Sequence, residues 1–157
     1  MAEVRQQRRG RSIAMTQDEI DSFLAEERTC RVATVDGNGT PHVVPLWFVW
    51  DGTCLWLNSI VRSQRWKDIT RDPRVSIVID AGHGFEELRG VEISGQAESV
   101  GDVPRGSTVD SRLTEVELRF ARKYMGSDMF KADGRHGWLR VMPSKIVSWD
   151  FRKAPKR

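Results

Sequence analysis

The chain has 157 residues, two cysteines and a formal net charge of +3, a length that suits one domain rather than two. It contains no run of about eighteen apolar residues and no apolar segment of a secretory signal, so we expect a cytoplasmic protein that does not span a membrane. Cys30 and Cys54 lack CxxC or Cys/His spacing, which argues against a metal site or a disulfide and favours buried, reduced thiols.

The positive charge is concentrated at the two ends of the chain. Residues 1–11 carry a charge of +3 and residues 152–157 carry +4, so the remainder has a charge of −4. A fold that binds nucleic acid usually presents a basic face, which this distribution does not predict. We therefore interpret 1–12 and 152–157 as basic tails around one domain at 13–151, and nucleic-acid binding by the tails is a minor hypothesis.

Strand patterns outnumber helical patterns along the chain. Thr16 and Glu19 have the spacing of a capping box before a first helix. A second helix is expected to end at Asp72, because the residue before a proline avoids the α region. In chain order, the prediction is a helix over 18–27, strands over 30–35, 41–50 and 53–60, a short helix from Ser63, strands over 75–80 and 88–100, a helix over 111–125, and a last pair of strands over 138–142 and 145–151.

Asp51-Gly52 is the strongest turn motif, because both central residues of a type I′ hairpin need positive φ and this pair is common there. It predicts that 41–50 pairs antiparallel with 53–60. The pattern has no βαβ alternation and no GxGxxG motif, so it indicates an antiparallel barrel rather than a Rossmann sheet. Six tryptophans are more than a small barrel can enclose, and we expect some at a dimer interface or in a ligand cleft.

The short helix after this hairpin begins with a basic segment. Ser63, Arg65 and Lys67 combine a hydroxyl, helix N-terminal amides and two cations, which are the components of an anion site. A solvated basic helix face is the alternative interpretation. Asp68 places an acid beside the anion, which would weaken phosphate binding unless its side chain turns away or pairs with an arginine.

Several short motifs lie in a distinctive order between residues 16 and 151. They are Arg31-Val32-Ala33-Thr34, the run from Gly39 to Phe48, Ser63-x-Arg65-x-Lys67, Arg71-Asp72-Pro73-Arg74-Val75, Leu88-Arg89-Gly90-Val91 with Ser94-Gly95-x-Ala97, and Ser148-Trp149-Asp150-Phe151. In order and spacing they resemble the flavin-binding split-barrel superfamily typified by pyridoxamine 5′-phosphate oxidase. The resemblance is greatest to its actinobacterial branch, which depends on the deazaflavin coenzyme F420.

The resemblance implies a mainly β, α+β fold, namely an antiparallel split β-barrel of six to seven strands with two to three flanking helices. It also implies a homodimer with the cofactor at the subunit interface and a small molecule as substrate. The implied function is hydride transfer between reduced F420 and an unsaturated or heteroaromatic compound. The alternatives are an FMN-dependent oxidase or reductase of the same fold, and a non-catalytic flavin or haem-related carrier.

The resemblance also implies which residues bind the cofactor. Its phosphate would bind Ser63, Arg65 and Lys67, with Arg65 at a position that is often lysine in relatives. Trp149 would reach the ring across the dimer, or would instead plug a hydrophobic interface. The cofactor ring would lie along the strand at Val44, Pro45, Leu46 and Trp47. The alternative is that this segment is simply a core strand. No catalytic residue is assigned, because the cofactor carries the redox chemistry.

Overall fold

Seven antiparallel strands form one curled sheet in the computed structural model, which describes residues 3–8 and 10–155. The strands are β1 (Cys30–Val35), β2 (Pro41–Leu46), β3 (Phe48–Trp50), β4 (Leu55–Ile60), β5 (Arg74–Ala81), β6 (Arg89–Val100) and β7 (His136–Asp150). Their order across the sheet is β2-β1-β5-β6-β7-β4-β3. The predicted split-barrel fold of six to seven strands is therefore confirmed.

The sheet curls because its two edge strands are consecutive in the chain. β2 ends at Leu46 and β3 begins at Phe48, so Trp47 alone connects the two edges. β2 pairs with β1, with Val44 opposite Val32. Within the predicted strand 41–50, only the β3 part pairs with β4. The prediction that all of 41–50 pairs with 53–60 is wrong, because the chain changes its strand partner at Trp47.

The turn between β3 and β4 is wider than predicted. Four residues separate the paired ends of the two strands, and among them only Gly52 has a positive φ, of 96°. The Asp51 carboxylate accepts hydrogen bonds from the amides of Thr53 and Cys54 at 2.8 and 2.7 Å. The type I′ prediction is wrong, because this side-chain hydrogen bonding reverses the chain without a left-handed aspartate.

Three α-helices flank the sheet in the described residues. α1 (Gln17–Glu26) begins with the predicted capping box, in which Thr16 and Glu19 each accept a hydrogen bond from the other's backbone amide. α2 is Gln64–Arg71, and α3 (Thr114–Phe120) continues into a π-helical turn over Ala121–Met125. None of the described helices is both long and apolar enough to cross a membrane.

β7 is one continuous strand instead of the predicted pair over 138–142 and 145–151. Its register with β6 shifts between Ser94 and Gly95, and Gly95 stays paired with Pro143. A Cβ at Gly95 would collide with the Met142 carbonyl, so glycine is required for this close approach. The resulting bulge bends the two strands together and keeps the proline within the sheet.

Two hydrophobic clusters lie on opposite faces of β4. The first fills the barrel and receives Leu55 and Leu57 from this strand. The second lies between the outer face of the sheet and α3, and it receives Trp56. Because side chains alternate along a strand, the next residues, Asn58 and Ser59, face the α3 side and the barrel interior respectively.

The described parts of the predicted tails contact the domain. The Arg5 amide donates to the Ser144 carbonyl at 3.0 Å, and the Gln7 side-chain amide forms two hydrogen bonds with the backbone of Ser148. At the other end, Arg152 pairs with Asp150 at 2.6 Å. Three further basic tail residues lie outside the described residues, namely Arg9, Lys156 and Arg157.

Candidate functional site

A cleft of about 560 Å³ opens where the β2–β3 connection faces α3 and the loop before β7. A space of this size can hold a small organic ligand. Its lining contains an apolar set and a polar set of side chains. The apolar set is Pro45, Leu46, Trp47, Phe120, Met125, Phe130 and Ala132, and the polar set is Thr29, Asn58, Arg105, Lys131, Asp133 and His136.

Trp47 gives the cleft an exposed aromatic surface. The residue is 47% exposed, and its ring stacks on Tyr124 with ring centres 4.5 Å apart and planes inclined by 9°. The Tyr124 hydroxyl accepts a hydrogen bond from the Phe48 amide at 3.0 Å, which fixes the stack against β3. A large ring that is held in place but still exposed is suited to contact with a planar ligand.

Asn58 and Arg105 bring hydrogen-bond donors to the cleft, and the two side chains differ in whether these donors already have partners. The Nδ2 of Asn58 is buried and has no hydrogen-bond partner among the described residues. Because an unsatisfied buried donor costs free energy, an acceptor on a ligand would stabilise it. Arg105 is already satisfied by both carboxylate oxygens of Glu117, at 2.6 and 3.2 Å, and this contact raises the pKa of the guanidinium.

A histidine–aspartate pair lies at the polar end of the lining. His136 Nδ1 is 2.6 Å from Asp133 Oδ2, while Asp133 Oδ1 accepts hydrogen bonds from the amides of Arg135 and His136 at 2.9 and 3.0 Å. Burial acts to raise the pKa of Asp133, but these hydrogen bonds outweigh it and hold the pKa below its usual value. Lys131 is exposed nearby and forms no ion pair with a described residue.

The three residues predicted to bind phosphate point in different directions. The Ser63 hydroxyl caps α2 by accepting a hydrogen bond from the Trp66 amide at 3.2 Å. Arg65 is only 6% exposed and points into the barrel, where its Nε and Nη2 donate to Ser59 Oγ at 3.2 and 3.0 Å. Lys67 is exposed at the surface of the helix. The structure therefore does not bring these side chains into the cleft beside Trp47.

Arg65 is a buried cation without a carboxylate partner among the described residues. Burial lowers the pKa of its guanidinium. Buried charges are usually paired, because removing an ion from water is costly. The guanidinium of Arg65 therefore lies in the barrel without a counter-ion among the described residues.

Asp68 does not oppose such an anion. Its side chain is fully buried and accepts hydrogen bonds from Thr34 Oγ1 at 2.9 Å and Gln64 Nε2 at 2.8 Å. Arg71 Nη2 lies 3.5 Å from the carboxylate. Burial acts to raise the pKa of Asp68, but these contacts outweigh it and lower the pKa. The structure thus shows the pairing with an arginine that the sequence analysis required.

Val44 and Trp149 do not line the cleft of their own chain. Val44 is half-buried within β2. Trp149 lies thirteen residues along β7 from His136, which corresponds to on the order of 40 Å for an extended strand. Its ring covers Gly90 on β6, where a Cβ would collide with it. Trp149 is therefore not part of this cleft within one chain.

The polar half of the cleft was not predicted from the sequence. Asn58 could have been noticed as an amide in a mostly apolar strand. Arg105, Lys131 and His136 come from loops and from the first residue of β7, and nothing local in their sequence indicates that they face β2. Their position depends on how α3 packs against the sheet.

The chain matches one family model and is similar to a named reductase. The family model described as pyridoxamine 5′-phosphate oxidase matches residues 16–150. The 5a,11a-dehydrotetracycline/5a,11a-dehydrooxytetracycline reductase of Streptomyces rimosus subsp. rimosus is 29% identical over 140 residues. That alignment covers 85% of this chain and 82% of the relative.

Solved structures share the fold. A conserved hypothetical protein from Mycobacterium tuberculosis superposes with a TM-score of 0.79 at 29% identity, covering 98% of this chain and 96% of that chain. A structure described as an F420 reductase has a TM-score of 0.60 at 24% identity, covering 80% and 94%. The haem storage protein HutZ from Vibrio cholerae has a TM-score of 0.64 at 18% identity, covering 83% and 93%. The last two similarities show the fold alone.

Proposed function

The chain belongs to the pyridoxamine 5′-phosphate oxidase family, and we propose that it is an oxidoreductase that uses reduced F420 to transfer hydride to a small unsaturated or heteroaromatic compound. The observation that carries this proposal is the cleft beside Trp47, which combines an aromatic surface with the unsatisfied amide of Asn58. Such a lining fits a planar conjugated ring with polar atoms at its edge. The relative named as a reductase supports the same class of reaction.

The backbone of β2 fits the edge of a tricyclic ring. Pro45 has no N–H, so the hydrogen-bonded pairs between β2 and β1 fall at Val44 and Leu46 in this register. The Pro45 carbonyl then points away from β1, at the edge of the sheet. A backbone acceptor beside an apolar surface suits the N–H groups of a deazaflavin pyrimidine ring.

The start of α2 is the proposed phosphate site, which requires Arg65 to turn out of the barrel. Arg65 supplies a buried guanidinium without a carboxylate partner, and Lys67 supplies a second cation that forms no ion pair with a described residue. With its side chain turned outward, Arg65 would hold the phosphate through charge-assisted hydrogen bonds, together with Lys67 and with Ser63 as a hydroxyl or backbone donor. Bound reduced F420 would supply the hydride with its two electrons. The residues of this chain would orient the ring and exclude water from its reacting face.

A homodimer completes the proposed site. Trp149 does not line the cleft of its own chain, so the partner subunit would place this ring against the cofactor. The cofactor would then lie at the subunit interface, between β2 of one chain and the C-terminal strand of the other. The basic residues near both chain ends would suit the acidic glutamyl tail of F420.

Titration of the purified protein with F420 and with FMN tests the proposal. We expect F420 to bind more tightly, with a change in its fluorescence, and the loaded protein to reduce a member of a panel that begins with 5a,11a-dehydrotetracycline. Tighter binding of FMN would show the flavin-dependent alternative. Tight binding of either cofactor or of haem without redox turnover would show a carrier, and binding of none of them would contradict the proposal.

A further inference from the structure

His136 is held in the cleft by contacts that leave one ring nitrogen unused. Its backbone amide donates to Asp133 Oδ1 at 3.0 Å, and its carbonyl accepts from the Arg105 amide at 2.7 Å. Nδ1 is occupied by Asp133 Oδ2 at 2.6 Å. Nε2 forms no hydrogen bond with a described residue, although the side chain lines the cleft and is 29% exposed.

The contact with Asp133 determines where the ring carries its proton. An ionised carboxylate can only accept hydrogen bonds, and two backbone amides and the imidazole hold the pKa of Asp133 below its usual value despite burial. Nδ1 therefore carries a proton in either state of the ring. Nε2 presents a lone pair when the ring is neutral and an N–H when it is charged, so it can exchange a proton with a group in the cleft.

We propose that His136, oriented by Asp133, is the acid that completes reduction in this cleft, and that the substrates are planar conjugated carbonyl compounds. This inference rests on the proposed function. A bound reduced deazaflavin or flavin would supply the hydride for a new C–H bond at the β-carbon of the substrate, and the electrons of the C=C bond would move onto the carbonyl oxygen. The Nε2–H bond of His136 then breaks, and its proton passes to the enolate oxygen to give the neutral enol of the product. The neutral imidazole regains a proton from water.

The other charged groups of the cleft suit a developing oxyanion. Those that share the lining with His136 are Asp133, Lys131 and Arg105. The charge of Arg105 is neutralised by Glu117, whereas Lys131 is unpaired in the described part of the chain and adds positive potential. Asn58 Nδ2 provides a second, neutral donor. A conjugated carbonyl oxygen would therefore meet donors without a competing free carboxylate.

The tautomer of the ring is the first test. Long-range ¹H–¹⁵N spectra of the full chain with ¹⁵N-labelled histidine are expected to show the neutral His136 ring with its proton on Nδ1, and loss of the signal in His136→Gln assigns it. In Asp133→Asn the proton is expected to shift toward Nε2. A wild-type ring that carries its proton on Nε2, or a tautomer unchanged in Asp133→Asn, would overturn the proposal.

Binding of 2,4-dinitrophenolate, a planar conjugated oxyanion that stays ionised at mildly acidic pH, is the second test. The titration uses the protein without cofactor, so its result is independent of the F420 and FMN titrations. We expect His136→Gln to bind this anion about tenfold more weakly than wild type at mildly acidic pH. His83→Gln is the matched control, since His83 is exposed and outside the cleft. Equal binding by wild type and His136→Gln, or no binding by wild type, would refute the acid role and leave the cofactor result intact.

Discussion

Arg65→Met is expected to weaken cofactor binding by about 1.5–3 kcal/mol, which is the scale of a hydrogen bond to a charged group. The same substitution should raise the free energy of unfolding of the cofactor-free protein by about 1 kcal/mol, because it removes a buried charge without an acidic partner and keeps an apolar chain of similar length. Isothermal titration with F420 and urea denaturation measure the two effects separately. A gain in stability together with a loss of affinity would mark Arg65 as a residue that serves binding rather than folding.

Lys67→Ala is the matched control for this experiment. Lys67 lies on the same helix but is exposed, so its removal should change the free energy of unfolding by less than about 0.5 kcal/mol. It should weaken cofactor binding less than Arg65→Met does, because solvent screens an exposed cation. Unchanged cofactor affinity in Arg65→Met would show that the phosphate lies elsewhere, and a clear loss of stability would show that Arg65 is structural.

Trp138→Ala is expected to lower the free energy of unfolding by about 3–5 kcal/mol, the range for truncating a large buried aromatic residue. Trp138 is fully buried in the cluster between the sheet and α3. Its ring meets Phe120 edge-on, with ring centres 5.4 Å apart and planes at 89°, and lies 5.6 Å from Phe130. Its Nε1 donates to the Glu117 carboxylate at 3.1 Å. The substitution therefore also disturbs the residues that shape the cleft.

Trp138→Phe separates packing from hydrogen bonding. It keeps an aromatic ring but removes the donor to Glu117, so we expect a smaller loss of about 1–2 kcal/mol. Chemical denaturation followed by circular dichroism measures both variants. A loss below about 1 kcal/mol in Trp138→Ala would contradict the description of this cluster as a second core.

The strands and helix starts were predictable because their determinants are local. The capping box at Thr16 and the alternation over Cys30–Val35 place their elements closely. Strand pairing was harder to predict, because a segment such as 41–50 shows strand propensity without indicating which strand it pairs with. The change of partner at Trp47 follows from closure of the barrel. Pro143 suggested a break in β7, but the bulge opposite Gly95 accommodates it.

The lining of the cleft was predictable only where one segment supplies it. Pro45, Leu46 and Trp47 line the cleft, and their contact with a cofactor ring stays a prediction. The inward direction of Arg65 could have been inferred from helical spacing, since it shares the buried face of α2 with Asp68 and Ile69. The pairing of His136 with Asp133 was harder to predict from the sequence, because it depends on the conformation of a loop.

A crystal structure of the protein with F420 tests the central claim most directly. The account predicts a homodimer in which the ring lies against Pro45, Leu46 and Trp47 of one subunit, the phosphate contacts Arg65, and the other subunit contributes Trp149. A cofactor bound in a different cavity, or a monomer whose Arg65 remains bonded to Ser59 alone while the phosphate lies elsewhere, would contradict it.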